Sequence, residues 1–218
     1  MIETADLNDV LLFKGMNEKE INAALEFLKA HKEHFKKNEM ILHAGDHTNE
    51  LGLILSGSVF LEQNDLWGNR SILTSLETHQ FFAEVFAMVP NTKILVDVTA
   101  AEDTDILFLK LNCLLEEKSH PKAIVNKLTQ NLLRISMNMN LRLTTRNFHT
   151  SPKTIRDRIL SFLNTYAIET GEKYFDIPYD RQALADYLNV DRSALSKELS
   201  SMKKEGLIDY QKNHFRIL

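Results

Sequence analysis

The sequence predicts an α+β fold in which an antiparallel β unit precedes a long helix and a smaller, mostly helical domain. Three observations support this order. Short Val, Ile, Leu and Phe runs between turn residues fill residues 38–110, as in antiparallel strands. Apolar residues at helical spacing, uninterrupted by glycine, follow in 119–147. The charge also changes sign: residues 1–140 carry 13 Lys and Arg against 20 Asp and Glu, and residues 141–218 carry 13 against 10.

The composition excludes several classes of protein. The 218 residues are 44% hydrophobic and 26% charged, as in ordinary globular domains, which argues against disorder and fibrous repeats. The single cysteine, Cys113, rules out a disulfide scaffold and a four-cysteine zinc or iron–sulfur site within one chain. We find no signal-peptide pattern and no stretch typical of a membrane span, so we expect a cytoplasmic protein with no membrane partner.

The β unit is predicted from runs of strand-forming residues between turns. Strand patterns lie in EMILHAGD, in LGLILSGSVFLEQND and in NRSILTSL, and NDLWGN has the composition of a hairpin tip. The segment 93–110 adds two strands around an acidic turn. A helical pattern in 17–31 precedes the strands.

A long helix is predicted from residue 119 to 147, because Ser119 and Pro121 form a start signal. Its apolar residues are spaced three and four apart, which is typical of a coiled-coil seam. The predicted dimer seam comprises Val125, Leu128, Leu132, Ile135 and Met139. A second apolar stripe comprises Leu133, Met137 and Leu141. The pattern favours one stripe on the β unit and the other against a second copy, and burial of both within a monomer is the alternative.

The segment FHTSPKT (148–154) is predicted to break this helix and to form a linker. The sequence therefore divides into a β domain (1–118), a dimerisation helix (119–147) and a C-terminal domain (148–218). The last begins with a helical pattern in 154–170 and a short strand pattern in KYFDIPY.

Residues 180–218 carry the most specific pattern in the chain. Asp180 and Asp191 are suited to cap two consecutive helices, and Asn189 suits the left-handed residue of the tight turn between them. After Gly206, LIDY and HFRIL are two short strand patterns joined by QKN. A helix, a tight turn, a second helix and a β-hairpin in this order are typical of a winged helix-turn-helix.

The exposed face of the second helix indicates double-stranded DNA as the partner. Arg192, Ser193, Ser196 and Lys197 lie opposite its apolar face, where a recognition helix meets base edges in the major groove. Arginine and lysine suit guanine O6 and N7, and serine can donate or accept. The residues predicted to contact phosphates are Arg181, Lys203, Lys204, Lys212 and His214. The alternative, a solvated basic face, does not explain the full order of elements.

These segments resemble the Crp/Fnr superfamily of bacterial transcription regulators. LADYLNVDRSALSKELSSMKKEGLI is similar to that family's DNA-binding signature. FKKNEMILHAGDHTNELGLILSGSVFLEQND is similar to the opening strands of its cyclic-nucleotide-binding-like jelly roll, a β-roll. The long helix corresponds to the family's dimerisation helix.

The resemblance implies a homodimer that binds a pseudo-palindromic operator, with half-sites about 34 Å apart. It also implies RNA polymerase as a further partner. Ser193 stands where the family often has glutamate, so we expect a half-site different from those of the cyclic-AMP and fumarate–nitrate regulators. Asn189 replaces the usual turn glycine.

The resemblance also bears on the effector. Cyclic-nucleotide binders of the family carry Gly-Glu and, about ten residues later, an arginine followed by a small polar residue, since a buried phosphate needs a matched cation. Here Ala83 precedes Glu84, and the arginine and the next position fall on Ile94 and Leu95. We therefore do not expect cyclic AMP as the effector.

Two possibilities remain open for the β-roll interior: a pocket for a small organic effector, and a degenerate pocket filled by its own side chains. By family position the lining comprises Phe82, Glu84, Phe86, Ile94 and Leu95, with Asn138, Leu141, Thr144 and Thr145 from the long helix. One cysteine is too few for an iron–sulfur cluster, and haem would have only His79 or Cys113.

We interpret the chain as an effector-controlled transcription regulator with no metal site and no cofactor. The alternatives are a cyclic-nucleotide- or haem-binding signalling module, and an enzyme. The sequence contains no Walker-type loop, no HExxH motif and no nucleophile–His–acid arrangement, so we do not expect catalysis.

Overall fold

The computed structural model describes residues 7–64, 70–89, 91–115 and 122–218. The chain divides into two compact units, Met1–Ile135 and Ser136–Leu218, here called the β unit and the winged-helix unit. The division falls within the long helix α3, Lys122–Thr150. Most of the predicted hairpin tip NDLWGN and the predicted helix start at Ser119 and Pro121 lie outside the described residues.

The β unit begins with a 3-10 segment, Leu11–Phe13, and helix α1, Glu18–Phe27. Its described strands are β1 His31–Phe35, β2 Met40–Leu42, β3 Glu50–Ser56, β4 Ser58–Asn64, β5 Arg70–Glu77, β6 Phe81–Phe82, β7 Asp97–Ala100 and β8 Thr104–Lys110. A short helix, α2 Glu84–Met88, lies between β6 and β7, and a 3-10 segment, Leu111–Leu115, follows β8.

The strands form two four-stranded antiparallel sheets, in the orders β1-β8-β3-β6 and β2-β7-β4-β5. Apolar side chains from both sheets share one core, which includes Ile54 and Ile106 from the first sheet and Val59 and Val98 from the second. This arrangement is the predicted jelly-roll-like β-roll. With the helices that follow, it confirms the predicted α+β fold class.

Gly52 on β3 allows the β-roll core to close. A Cβ atom built on Gly52 would lie 2.2 Å from Cζ of Phe82, so the phenyl ring occupies the space of the missing side chain. Phe82 is 2% exposed. The strand pairing brings the two residues together, because Gly52 is the register partner of Phe82 on β6.

A second apolar core lies between the β1-β8-β3-β6 sheet and the N-terminal helices, and the start of α3 packs on it. Lys127 Nζ lies 2.7 Å from Glu20 Oε2, and this hydrogen bond lowers the pKa of the Glu20 carboxyl. Asn131 donates through Nδ2 to the carbonyl oxygens of Leu12 and Lys14, both at 2.9 Å. The first half of α3 is therefore fixed to its own β unit.

This packing corrects the predicted dimer seam. Leu128 is fully buried within its own chain, so its assignment to a contact with a second copy is wrong. Leu132 and Ile135 pack against the same core. Val125 is half-buried and Met139 remains 45% exposed, so only part of the predicted seam is free.

The winged-helix unit contains the second half of α3 and a compact set of short elements. These are α4 Ile155–Thr170, β9 Tyr174–Asp176, α5 Arg181–Leu188, α6 Arg192–Lys204, β10 Ile208–Gln211 and β11 His214–Ile217. The three strands form one antiparallel sheet in the order β10-β11-β9. The winged helix-turn-helix predicted from the sequence is thus present.

The end of the long helix differs from the prediction. Helix α3 continues to Thr150, although the sequence predicted that 148–154 would break it. The Thr150 hydroxyl donates to the carbonyl of Arg146 at 2.9 Å, and the side chain of His149 is buried. These contacts extend the helix past its local stop signals. In the described part of the chain, no helix is long and apolar enough to cross a bilayer.

We predict that Gly52→Ala destabilises the β unit by about 1–3 kcal/mol, since the added methyl group must displace the ring of Phe82. Urea unfolding followed through the single tryptophan measures the change. The double variant Gly52→Ala/Phe82→Leu should recover part of the loss. Equal stability of Gly52→Ala and the wild type would contradict this close contact.

Candidate DNA-binding surface and β-roll interior

Asn189 and Asp191, the two residues predicted for the turn between α5 and α6, form that turn. Asn189 ends α5 in the left-handed region, with φ 54° and ψ 54°. Asp191 caps α6 by accepting from the backbone N–H groups of Ser193 and Ala194 at 2.8 and 3.0 Å. Hydrogen bonds from Ser193 and Ala194 lower the pKa of the Asp191 carboxyl.

Helix α6 is oriented by its apolar face. Leu195, Leu199 and Met202 are fully buried in the core of the winged-helix unit. Ala185 on α5 is also fully buried, and a small residue there permits close approach of the two helices. Burial of this face leaves the opposite side of α6 at the surface.

The exposed side of α6 carries the residues predicted to read bases. Arg192 and Lys197 are exposed, and neither has an ion-pair partner within the residues that the structure describes. Ser196 is half-exposed. Ser193 is exposed, but its hydroxyl donates to Asp191, so only its oxygen lone pairs are free. This use of Ser193 in the helix cap was not foreseen.

Three of the predicted phosphate contacts are engaged within the wing. The Arg181 guanidinium lies over Tyr210, 5.1 Å from the ring centroid, and burial lowers its pKa. Lys203 pairs with Asp209 at 2.5 Å, and His214 pairs with Asp176. All three side chains therefore have partners within the winged-helix unit.

Lys204 and Lys212 differ from these three, because both are exposed. Lys212 occupies the turn between β10 and β11 with a left-handed φ of 55°. Neither lysine has an ion-pair partner in the described part of the chain. Together with Arg192 and Lys197, they are the cations of this surface that remain available to phosphates and bases.

Two arginines that sequence reasoning missed hold the end of α5. Arg146 donates through Nε to the carbonyl of Tyr187 at 3.2 Å. Arg158 donates through Nη1 to the carbonyls of Leu188 and Asn189 at 3.1 and 3.0 Å. The last carbonyls of a helix lack intrahelical partners, so these contacts stabilise the first helix of the motif. No sequence signal distinguished these arginines from solvated ones.

His149 connects α3 to the helix-turn-helix core. It is 1% exposed, its Nδ1 lies 2.9 Å from the Tyr187 hydroxyl, and its Nε2 lies 2.8 Å from Thr165 Oγ1. The Thr165 hydroxyl donates to the Ser161 carbonyl, so it accepts from His149. A neutral imidazole therefore satisfies both contacts, and burial lowers the pKa of His149.

The β-roll interior differs from the predicted effector pocket. Phe82 and Ile94 are each 2% exposed and fill the interior instead of lining an open pocket. Leu95 is 72% exposed, and its assignment to the lining stays a prediction. Glu84 is half-buried, and burial raises the pKa of its carboxyl. Phe86 is half-buried and borders a separate cleft.

The predicted lining from α3 belongs to the winged-helix unit. Thr145 is half-buried, whereas Asn138, Leu141 and Thr144 are exposed. The Thr144 hydroxyl donates to Asn140 Oδ1 at 3.4 Å. Their assignment to an effector pocket stays a prediction.

The residues present do not fit a cyclic nucleotide. Ile94, at the position where the family places arginine, is apolar and buried, so a phosphate there would have no matched cation. Lys93 and Leu95 on either side are exposed. Ala83 has a left-handed backbone, with φ 64° and ψ 9°, a conformation that glycine adopts more readily than alanine.

A cleft of about 620 Å³ lies beside α2 on the β unit. Its lining includes Phe86 and Met88 from the α2 region and Asn112 from the 3-10 segment after β8. The Oδ1 atom of Asn112 is buried and has no hydrogen-bond partner among the described residues. This mixed lining differs from the filled interior of the β-roll.

We predict that the winged-helix unit loses stability as the pH falls below about 6.5, the ordinary histidine pKa. The folded-state pKa of His149 lies below that value, so the unfolded chain binds more protons in this range. The His149 contribution is fully present above pH 6.5 and is lost as the pH falls towards the folded pKa. His149→Gln should remove this component of the pH dependence.

Urea unfolding between pH 7.5 and 5 tests this pH dependence. Tyrosine fluorescence is the probe, because all five tyrosines lie between residues 166 and 210. The wild type should lose more stability than His149→Gln over this range. Parallel pH profiles for the two proteins would show that His149 is not held neutral.

Protein-family models match both domains of the chain. Residues 32–118 match the family model of the cyclic nucleotide-binding domain, and residues 157–218 match that of the Crp-like helix-turn-helix domain. Together these matches cover more than half of the chain. No curated protein sequence matches.

Solved structures show the same fold at low identity. The chain is 15% identical to OCPA-complexed CprK, with a TM-score of 0.53 over 92% of this chain and 89% of that one. It is 16% identical to the N-terminal domain of a transcriptional regulator from Streptomyces coelicolor A3(2), with a TM-score of 0.52 over 63% and 94%.

The two matched domains occur in the order that the sequence predicted, and the structure provides a β-roll followed by a winged helix-turn-helix. The chain belongs to the Crp/Fnr superfamily of bacterial transcription regulators.

Proposed function

We propose that this regulator binds a pseudo-palindromic operator as a homodimer and inserts α6 of each protomer into the major groove. The observation that carries the proposal is the exposed face of α6, where Arg192 and Lys197 have no ion-pair partner among the residues that the structure describes. Regulators with a Crp-like helix-turn-helix bind DNA as dimers. The two recognition helices, which the two-fold axis of the dimer relates, then read the two half-sites of the operator.

The dimer contact that we propose uses the second apolar stripe of α3. Leu133, Met137 and Leu141 are 57%, 56% and 65% exposed. Their spacing of four places them along one side of the helix. Exposed side chains of this size, repeated along a helix, suit pairing with the same stripe of a second copy.

The β unit, in this proposal, does not respond to a cyclic nucleotide. The buried Ile94 at the arginine position supports this, as do Phe82 and Ile94 filling the interior. A small non-nucleotide effector is part of the proposal, and the cleft beside α2 combines apolar residues with the Asn112 oxygen, which has no hydrogen-bond partner in the described part of the chain.

We propose RNA polymerase as a protein partner, and a purely regulatory role in the cytoplasm without catalysis. We also propose no haem, iron–sulfur cluster or metal. Within the described residues, no group of three or more His, Cys, Asp and Glu is arranged to hold a metal ion.

Selection of bound sites from random duplex DNA tests the proposed DNA binding. We predict one palindromic consensus, and a loss of about 1–3 kcal/mol in binding free energy for Arg192→Ala, with relaxed specificity at one base pair per half-site. Lys204→Ala is the control and should weaken binding to all sequences alike. An unchanged affinity of Arg192→Ala for the selected site would contradict the assignment of α6.

Calorimetric titration with cyclic AMP and cyclic GMP tests the effector proposal. We predict no binding heat, because the buried position 94 offers no cation to the cyclic phosphate. The comparison is the same titration of Ile94→Arg, since this variant carries a cation at position 94. Saturable binding of either nucleotide to the wild type would contradict the proposal.

A further inference from the structure

Helix α6 carries Glu198 and is followed by its C-cap residue Glu205, and two acids are unexpected on a helix that approaches phosphates. They are seven residues apart, so they lie on one side of the helix, about 10 Å apart along its axis. Both border the buried apolar face and lie away from Lys197 and Lys204. Unpaired, they would repel DNA.

One residue of α4 binds both acids. Arg156 donates through Nε to Glu198 Oε1 at 2.6 Å. Through Nη1 and Nη2 it donates to the two carboxylate oxygens of Glu205, both at 2.7 Å. The Ser201 hydroxyl donates to the same carboxylate at 2.9 Å. A single guanidinium thus connects the first turn of α4 to Glu198 within α6 and to the C-cap residue Glu205 about two turns later.

We propose that Arg156 is a positioning residue for sequence-specific DNA binding, which sets the angle and axial rotation of α6 through Glu198 and Glu205. The inference rests on the proposed function, in which α6 reads the operator. Arg156 lies just outside the residues matched by the helix-turn-helix family model, which begin at 157.

The directional nature of these bonds supports this role. The apolar contacts of α6 are non-directional, so they hold the helix in place but tolerate small rotations. A two-point arginine–carboxylate contact fixes geometry as well as distance. Isolated exposed ion pairs contribute little, but a bidentate pair within a network is the exception. The Arg156 and Glu205 side chains are 36% and 42% exposed.

The guanidinium is occupied by carboxylates on both of its edges and so does not serve as a direct phosphate contact. Its pKa is raised by the hydrogen bonds to Glu205 and Glu198. The pKa of Glu205 is lowered by the bonds from Arg156 and Ser201. Both groups therefore stay charged over the range in which DNA binding is measured.

The test measures affinity for the selected operator and for a scrambled duplex at several salt concentrations, after the wild type has been shown to select a site. If the wild type selects none, the proposed function fails before Arg156 is tested. We expect Arg156→Ala to lose about tenfold in operator affinity, the order of one charge-assisted hydrogen bond. Its affinity for the scrambled duplex should fall less, because that loss reflects only the charge of the two unpaired carboxylates.

Two variants separate positioning from simple electrostatics. Glu205→Gln removes a negative charge, so electrostatics alone predicts tighter binding to every duplex. Positioning predicts weaker binding to the operator even though the affinity for scrambled DNA does not fall. Arg156→Lys keeps the charge but cannot bind in the bidentate mode, so it should rescue operator affinity only in part.

Lys153→Ala is the matched control. Lys153 is an exposed cation near Arg156, without an ion-pair partner in the part of the chain that the structure describes. Its loss should leave the ratio of operator to scrambled affinity unchanged. Circular dichroism confirms that each variant is folded, and Glu205→Gln carries the test if Arg156→Ala does not fold.

Three results would overturn the proposal. The first is an equal fold-loss of operator and scrambled affinity in Arg156→Ala, which indicates that Arg156 acts only through its charge. The second is tighter binding of both duplexes by Glu205→Gln. The third is full rescue by Arg156→Lys, which indicates that only charge matters.

Discussion

The burial of Leu195, Leu199 and Met202 against α5 is the contact on which the DNA-binding surface depends. It fixes which side of α6 faces water, and so decides that Arg192 and Lys197 are exposed. The turn at Asn189 and the cap at Asp191 set where α6 begins, and Ala185 lets it approach α5. Without this apolar contact, neither the caps nor the basic residues would form a surface that fits a groove.

The helix-turn-helix was predictable because its signals are local. Helix caps, a left-handed asparagine and a three-to-four spacing each involve residues close in sequence. The two apolar stripes of α3 were also recognised, but not which one packs on the β unit. Both stripes have the same period, and the choice is made by distant residues such as Leu12 and Ile21. Leu128 was therefore assigned to the wrong side.

Other features could not be predicted for the same reason, because contacts between residues distant in sequence determine them. Helix α3 passes its local stop signals because Tyr187 and Thr165 bind His149. The pairing of Arg156 with Glu198 and Glu205 joins residues 42 and 49 positions apart, which no local pattern indicates. In the β unit, the fold is retained while the phosphate-binding arginine is absent, so fold and ligand are separable.

Photo-cross-linking from two serines of α6 tests the central claim, that one side of this helix faces DNA. Ser196→Cys and Ser201→Cys, each in a Cys113→Ser background, carry a cysteine-attached cross-linker on opposite flanks of the helix. Bound to the selected operator, the Ser196→Cys protein should cross-link to bases within the half-site, and the Ser201→Cys protein should not. Cross-linking from Ser201→Cys alone would contradict the orientation of α6 that the buried apolar face imposes.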